Sequence, residues 1–434
     1  MDKRPLEIYT NNILINRIDG TSMENKHKIK SKDTREWSFL FLGSAIGAGI
    51  LFIPLQAGKV SIYSTLLTII IALIGTYIGQ KLMIKMIATT KNCSSYDDAI
   101  EYHLGKYGGV ILSSIFLIFL FTIIVLLGTG VNDNLAAMLH YYKITGIGLQ
   151  NNSIYTLILL ACLSIPLIVG EKFLLSMIEK VVSFKIIILA ILVFMFIPLW
   201  KSDNIHYYTY FSFEDIGMGL ITLMPVLIFG ATFFPSIGSM GRYFRTEYNN
   251  LNSDELYKVT NKTNIYAMLM LSVVLIAFIT SSLFALNPSS LTYAGNHNLS
   301  ALAVIGMTSS TGFFADFCIF AGYLITVLAI LTSYYAVIIG LIDGIASRVP
   351  YADRINRKTI IILIHILLWV WIVRNINILI FIERIISPLI VIYVFFIPFI
   401  AAYWSKKMGK HKHFVSITCL IIGIFLMIAS FIAQ

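Results

Sequence analysis

Charge is what this sequence has least of. Asp, Glu, Lys and Arg together make up 12% of its 434 residues, about half the share of an average soluble protein. Cysteine is scarce as well: Cys93, Cys162, Cys318 and Cys419 are the four, and no two have metal-ligand spacing. That excludes a disulfide-stapled secreted domain and a zinc site of the CxxC kind. The eight histidines are scattered, mostly in tails and loops. No cluster of His, Asp and Glu, and no nucleophile beside a base, marks an integral-membrane enzyme. A GxxxxGK[ST] loop is missing too, so ATP is not expected as the driving force. A channel would need a continuous polar pore or charged rings, and the apolar runs hold too few polar residues for that.

What fills the chain is apolar: 58% of residues are hydrophobic and 13% aromatic, with a mean hydropathy of +0.83. A soluble fold of this size has no core large enough to hide such a surface. The bilayer is the solvent that fits, and the chain reads as an all-α polytopic membrane protein. The net charge of +10 does not form a nucleic-acid patch. It sits in short links between apolar runs.

Eleven runs are long enough to span the hydrocarbon core: 38–58, 61–88, 109–131, 153–170, 177–199, 216–238, 264–286, 316–342, 359–373, 377–403 and 414–433. If the N-terminus is cytoplasmic, 26 of the 32 Lys and Arg fall in the tail or in cytoplasmic links. Only Lys59, Lys143, Lys201 and Arg374 fall on the other side, and Lys185 and Arg384 lie within runs. The positive-inside rule therefore predicts an N-terminus in the cytoplasm and a C-terminus outside. Residues 1–36 read as a flexible cytoplasmic tail with no apolar core of a signal peptide, and Met23 offers a second start. Residues 37–434 read as one transmembrane domain in a bacterial inner membrane.

Function shows where an apolar run contains Gly, Pro or charge. The first run reads Gly43-Ser44-Ala45-Ile46-Gly47-Ala48-Gly49-Ile50 and reaches Pro54 four residues later. Each glycine weakens a helix by roughly 1 kcal/mol relative to alanine. A loosened turn in hydrocarbon is tolerated where it lines a cavity or packs on protein. Its free N–H groups then suit an anion and its free carbonyls a cation. Gly43 and Gly47 also have the spacing of a helix-packing face. The sixth run brackets Gly230 between Pro225 and Pro235, which reads either as a second interrupted helix or as a proline kink. Interrupted segments in corresponding positions of two halves point to an inverted-repeat transporter with a midplane site.

Charge at depth marks function by default. Lys185 is either a functional ammonium or a snorkelling side chain. Glu383 and Arg384 precede Pro388, and neighbours in a helix face about 100° apart. His365 reads as a packed residue. Thr332 and Ser333 follow Ala329 in the eighth run. Their hydroxyls can bond back to helix carbonyls or coordinate Na⁺.

Six segments carry a resemblance: GSAIGAGILFIPLQAG (Gly43–Gly58), EYHLGKYGG (Glu101–Gly109), FIPLW (Phe196–Trp200), MPVLIFGATFFPSI (Met224–Ile237), LFALNPSSL (Leu283–Leu291) and WIVRNINILIFIERIISP (Trp371–Pro388). Together they resemble the hydroxy/aromatic amino acid permeases of the amino acid–polyamine–organocation superfamily, with the serine/threonine branch nearest. The resemblance implies a 5+5 inverted-repeat (LeuT-like) fold, with repeats at about 38–199 and 216–403 and an extra helix at about 414–433. It implies alternating-access, cation-coupled uptake of a small neutral amino acid, serine or threonine, with an aromatic substrate as the alternative. Ser44, Gly47, Ala48 and Gly49 would hold the substrate carboxylate. An unwound stretch of Phe229, Gly230, Ala231 and Thr232 would meet the ammonium and side chain. Gly43, Ile46, Ala329, Thr332 and Ser333 would hold Na⁺, or Lys185 would fill that hole in a proton-coupled relative. Glu383 would carry a proton or partner a cation. The coupling ion, H⁺ or Na⁺, stays open. The chain departs from the serine permeases at Thr332, where they carry lysine, and at Phe234, where they carry histidine. No cofactor, nucleic acid or obligate protein partner is expected beyond the substrate and lipid.

Overall fold

A computed structural model describes residues 31–91, 96–248, 251–308, 313–348, 356–408 and 414–432. The expected flexible tail before residue 31, Met23 and Cys93 lie outside the described residues. No strand occurs among the described residues, and the chain is an all-α polytopic membrane protein. Among the described residues eight helical stretches are long and apolar enough to cross a membrane, with Met224–Glu247 counted across its break. The first, fourth and ninth runs supply the remainder as a divided helix or as shorter apolar helices.

In chain order the helices are α1 Ser31–Ala45, α2 Ala48–Ala57, α3 Ile62–Thr89, α4 Tyr96–Tyr141, α5 Ser153–Val169, α6 Glu171–Phe196, α7 Ser202–Tyr208, α8 Phe213–Thr222, α9 Met224–Ala231, α10 Phe234–Glu247, α11 Ser253–Ala285, α12 Pro288–Asn296, α13 Phe313–Arg348 and α14 Arg357–Ile372. They end with α15 Ile378–Trp404 and α16 Phe414–Ile432. The first run is thus α1 and α2, and the sixth is α8 to α10.

Short polar side chains start these helices. Asn152 accepts from Ile154 N and Tyr155 N to cap α5. Asn252 and Glu255 form a reciprocal capping box at α11. Asn356 and Asn377 cap α14 and α15. Ser61 caps α3 and is itself fixed by Asp215, which accepts from Ser61 N at 3.0 Å and from Ser61 Oγ at 2.6 Å. Prolines then shape the interiors. The two π turns of α15, Ile382–Ile386 and Ile392–Phe396, run up to just before Pro388 and Pro398. A proline has no N–H to give the carbonyl four residues back, and a wider turn absorbs the lost bond.

The interrupted helices occupy the middle of the bundle. α2 and α9 pack on each other, α11 packs along α1 and α3, and α13 packs on α4 and α6. Close approach depends on glycine. A Cβ on Gly423 of α16 would lie 2.7 Å from the Phe396 ring and 3.0 Å from Phe395 Cβ on α15. Gly423→Val should therefore lower thermal stability in detergent by the roughly 1–3 kcal/mol typical of overpacking. A melting curve indistinguishable from the parent's would show that α15 and α16 can part freely.

Candidate substrate and coupling-ion site

The first break is short. α1 ends at Ala45, and Gly47 adopts an extended conformation (φ −125°, ψ −152°) before α2 begins at Ala48. No side chain caps α2. The first N–H groups of a helix have no partner within it, so those at the start of α2 carry the positive end of the helix dipole without an intrahelical acceptor. Gly47 and Gly49 are buried, and Ile46 is buried beside them. The side chains of Ser44 and Ala48 lie outside the described residues.

The second break lies later than the sequence predicts. Phe229, Gly230 and Ala231 stay helical at the end of α9, and the chain opens at Thr232 and Phe233. Pro235 explains the position. In an unbroken helix its nitrogen would donate to the Ala231 carbonyl, and it has no proton to give. The freed groups find new partners. Thr232 Oγ1 donates to Phe229 O at 3.3 Å. Gln80 of α3, wholly buried, donates through Nε2 to Ala231 O at 3.4 Å and accepts from Phe233 N at 3.3 Å. One amide side chain thus bridges both edges of the gap. The sequence reading missed Gln80; its signal was a lone amide in an apolar run.

The two breaks meet. A Cβ on Gly49 would lie 2.6 Å from Gly230 Cα and 3.2 Å from the Phe229 ring, and one on Gly230 would lie 3.2 Å from Ile53 Cδ1. The start of α2 therefore faces the end of α9, so N–H groups and carbonyls point to one junction. Below it, Phe41 stacks on Phe233 at 5.1 Å, and Phe119 stacks between Phe234 and Tyr393 at 5.6 and 5.7 Å.

Lys185 does not snorkel. It is completely buried, and its Nζ donates to Thr332 Oγ1 at 2.7 Å. Thr332 Oγ1 donates in turn to Ala329 O at 2.9 Å, and Ser333 Oγ donates to the same carbonyl at 3.3 Å. Thr332 thus bonds back to its own helix and accepts from Lys185 at the same time. No carboxylate pairs with Lys185 among the described residues. Gly43 lies against the same helix, since its Cβ would meet Val182 Cγ1 at 2.3 Å. Glu383 lies apart from this group. It is nearly buried in the first π turn of α15 and accepts from Gln56 Nε2 of α2. Gln56 Oε1 is buried without a partner. His365 Nδ1 donates to Ile361 O at 2.8 Å and its Nε2 shares a hydrogen bond with the Tyr334 hydroxyl at 3.0 Å, which is a packed role. No group of three or more metal-ligating side chains occurs among the described residues.

Two interrupted spans crossing inside a polytopic helical bundle define the class of molecule. No family model matches the chain. It is 26% identical over 420 residues to the serine transporter of Escherichia coli O157:H7, covering 94% of this chain and 93% of the relative. It is 23% identical over 426 residues to the serine transporter SdaC of E. coli K12, covering 93% and 97%. The inner membrane transport protein YqeG of the same strain is 22% identical over 413 residues, covering 91% and 97%. Similarity along nearly the whole of both chains bears out the resemblance to the hydroxy/aromatic amino acid permeases.

The junction leaves no space for a side chain on Gly49. Gly49→Val should abolish substrate binding while the protein still reaches the membrane in normal amount. Binding of labelled amino acid to that variant at the parent's affinity would remove Gly49 from the site.

Proposed function

We propose that this protein is a secondary transporter that carries a small neutral amino acid, serine or threonine, into the cell together with a proton. The observation that carries this reading is the crossing of Gly49 on Gly230. It sets the uncapped start of α2 against the end of α9. N–H groups suit a carboxylate and carbonyls suit an ammonium. A zwitterion satisfies both, and neither break requires a buried counter-charge. Small size follows from the walls: Phe229 and Ile53 press on the two glycines, and the half-buried Thr232 hydroxyl suits a hydroxylated side chain better than an aromatic ring. The relatives that are serine transporters support the same substrate class.

Proton coupling rests on Lys185. Its ammonium already occupies the hydroxyl that would otherwise ligate Na⁺, and two cations in one hole repel each other. The resemblance leads to a lysine at position 332; here Thr332 stands there, and Lys185 brings its ammonium to it from α6. Deprotonation would remove the charge from that contact and weaken it, which loosens α6 from α13. Glu383 is a second proton acceptor in this reading, because a protonated carboxyl would donate to the vacant Gln56 Oε1. The end of the bundle that carries the basic links is cytoplasmic by the positive-inside rule. Transport then alternates the exposure of the junction between the two ends, with the two five-helix repeats moving against each other.

Uptake of a labelled amino-acid panel into proteoliposomes tests the reading. Serine or threonine should accumulate above equilibrium when the outside is acidic, and an imposed Na⁺ gradient should add nothing. Lys185→Ala should lose pH-driven accumulation yet keep exchange of internal for external substrate. Accumulation driven by Na⁺ alone, or a Lys185→Ala protein that still concentrates substrate with the pH gradient, would refute proton coupling through this lysine.

A further inference from the structure

The transport reading leaves one buried polar cluster unused, at the end of the bundle away from the basic links. Asp133 of α4 is 1% exposed, and no cation pairs with it among the described residues. Amides hold it instead: Oδ1 accepts from Asn132 Nδ2 at 2.9 Å and Oδ2 from Asn298 Nδ2 at 2.8 Å. Asn298 lies in the connection between α11 and α13. Its Nδ2 also reaches Asn375 Oδ1 at 3.0 Å and Ile376 O at 2.8 Å, so two protons serve three acceptors. Its Oδ1 accepts from Ile378 N, the first residue of α15, at 2.7 Å. Its carbonyl accepts from Asn134 Nδ2 at 3.0 Å. One side chain thereby fastens the connection to α4, to the turn before α15 and to α15 itself.

The fastened connection packs over the outer end of α2, the helix whose start forms the proposed site. Leu291 of α12 lies against Gly58 at the end of α2, where a Cβ would come within 2.6 Å of its Cδ1. Gly295 lies against Leu379 of α15 in the same way, and the Leu302 carbonyl against Gly322 of α13. Leu291, Leu299 and Leu302 are buried. The connection thus covers the outer end of α2 and packs on the two helices beside it. A buried carboxylate without a cation is a costly way to add stability, since apolar packing of similar volume serves as well or better. Hydrogen bonds to water can replace those to Asn132 and Asn298, which makes the contact reversible.

We propose that the Asp133–Asn298 contact is the outer latch of the transport cycle: it holds residues 287–308 over α2, and it must part for substrate to enter from that end. Asp133 and Asn298 are positioning residues that touch no substrate. The inference rests on the transport reading above for its place in a cycle.

The test is the rate at which a membrane-impermeant maleimide, added outside intact cells, labels Leu291→Cys in a chain whose four native cysteines are replaced. Asn298 has φ +56°, so Asn298→Gly removes the side chain without straining the backbone. It should raise the labelling rate about tenfold, the scale of one lost hydrogen bond to a charged group. Asp133→Ala should do the same, and it carries the comparison if Asn298→Gly fails to reach the membrane. Asp133→Asn keeps an oxygen that can accept from Asn298 Nδ2 and should label more slowly than Asp133→Ala. A parent-like rate in Asn298→Gly or Asp133→Ala, or an Asp133→Asn variant that labels as fast as Asp133→Ala, overturns the latch. Labelling is read without substrate, so a chain that fails to carry serine leaves this result standing on its own.

Discussion

Hydrocarbon offers no hydrogen bonds, and that constraint governs the whole molecule. A span may stop being helical only if something else satisfies the freed backbone groups. α1 and α2 part at Gly47, and α9 and α10 part at Thr232 and Phe233. Gly47 and Phe233 are buried, and Thr232 is half-buried. Gln80 and Thr232 take up the groups freed at the second gap. At the first gap Gly47 N donates to Ala45 O, and no described side chain takes the N–H groups at the start of α2, which leaves them open to a guest. The asymmetry between the gaps is a physical reason to place the anionic end of the substrate at α2.

The architecture was largely legible from composition and periodicity. Apolar runs of spanning length appear as helices, and the glycines and prolines mark both interruptions. The details that failed were local. The sequence predicts an unwound stretch from Phe229, whereas Pro235 acts four residues back, on the Ala231 carbonyl, so the helix survives to that residue. Lys185 was ambiguous in sequence because its depth depends on which way α6 turns, and only packing shows that its ammonium ends on Thr332. Gln80, Gln56 and Asn298 were illegible for a common reason. An isolated amide carries no spacing signal, and its importance comes from partners more than 75 residues away.

Ionisable groups are distributed by a consistent logic. Lys185 meets a hydroxyl, Glu383 meets an amide and Asp133 meets two amides. None of the three is matched to an opposite charge among the described residues. A buried ion pair is broken only at high cost, because one charge is then left alone. A charge held by neutral dipoles can trade them for water or take up a proton, which keeps each contact reversible. The alternating-access cycle proposed above requires reversible contacts between the parts that move. Lys185 joins α6 to α13, Gln56 joins α2 to α15, and Asn298 joins the outer connection to α4 and α15.

Gln80 fits the same logic at the centre. Its bonds to Ala231 O and Phe233 N, at 3.4 and 3.3 Å, are at the long end of the useful range. An ammonium makes shorter and roughly twofold stronger bonds than a neutral amide donor. An arriving amino acid can therefore take the Ala231 carbonyl from Gln80 at little cost. Until then the amide prevents that carbonyl from standing unpaired in a dry core. A charged residue in place of Gln80 would bind the gap too tightly or repel one of its edges, and an apolar residue would leave both edges bare. A buried glutamine with two long bonds keeps the second break open and available, and the uncapped amides of α2 complete the pair of dipoles that the proposed zwitterion needs.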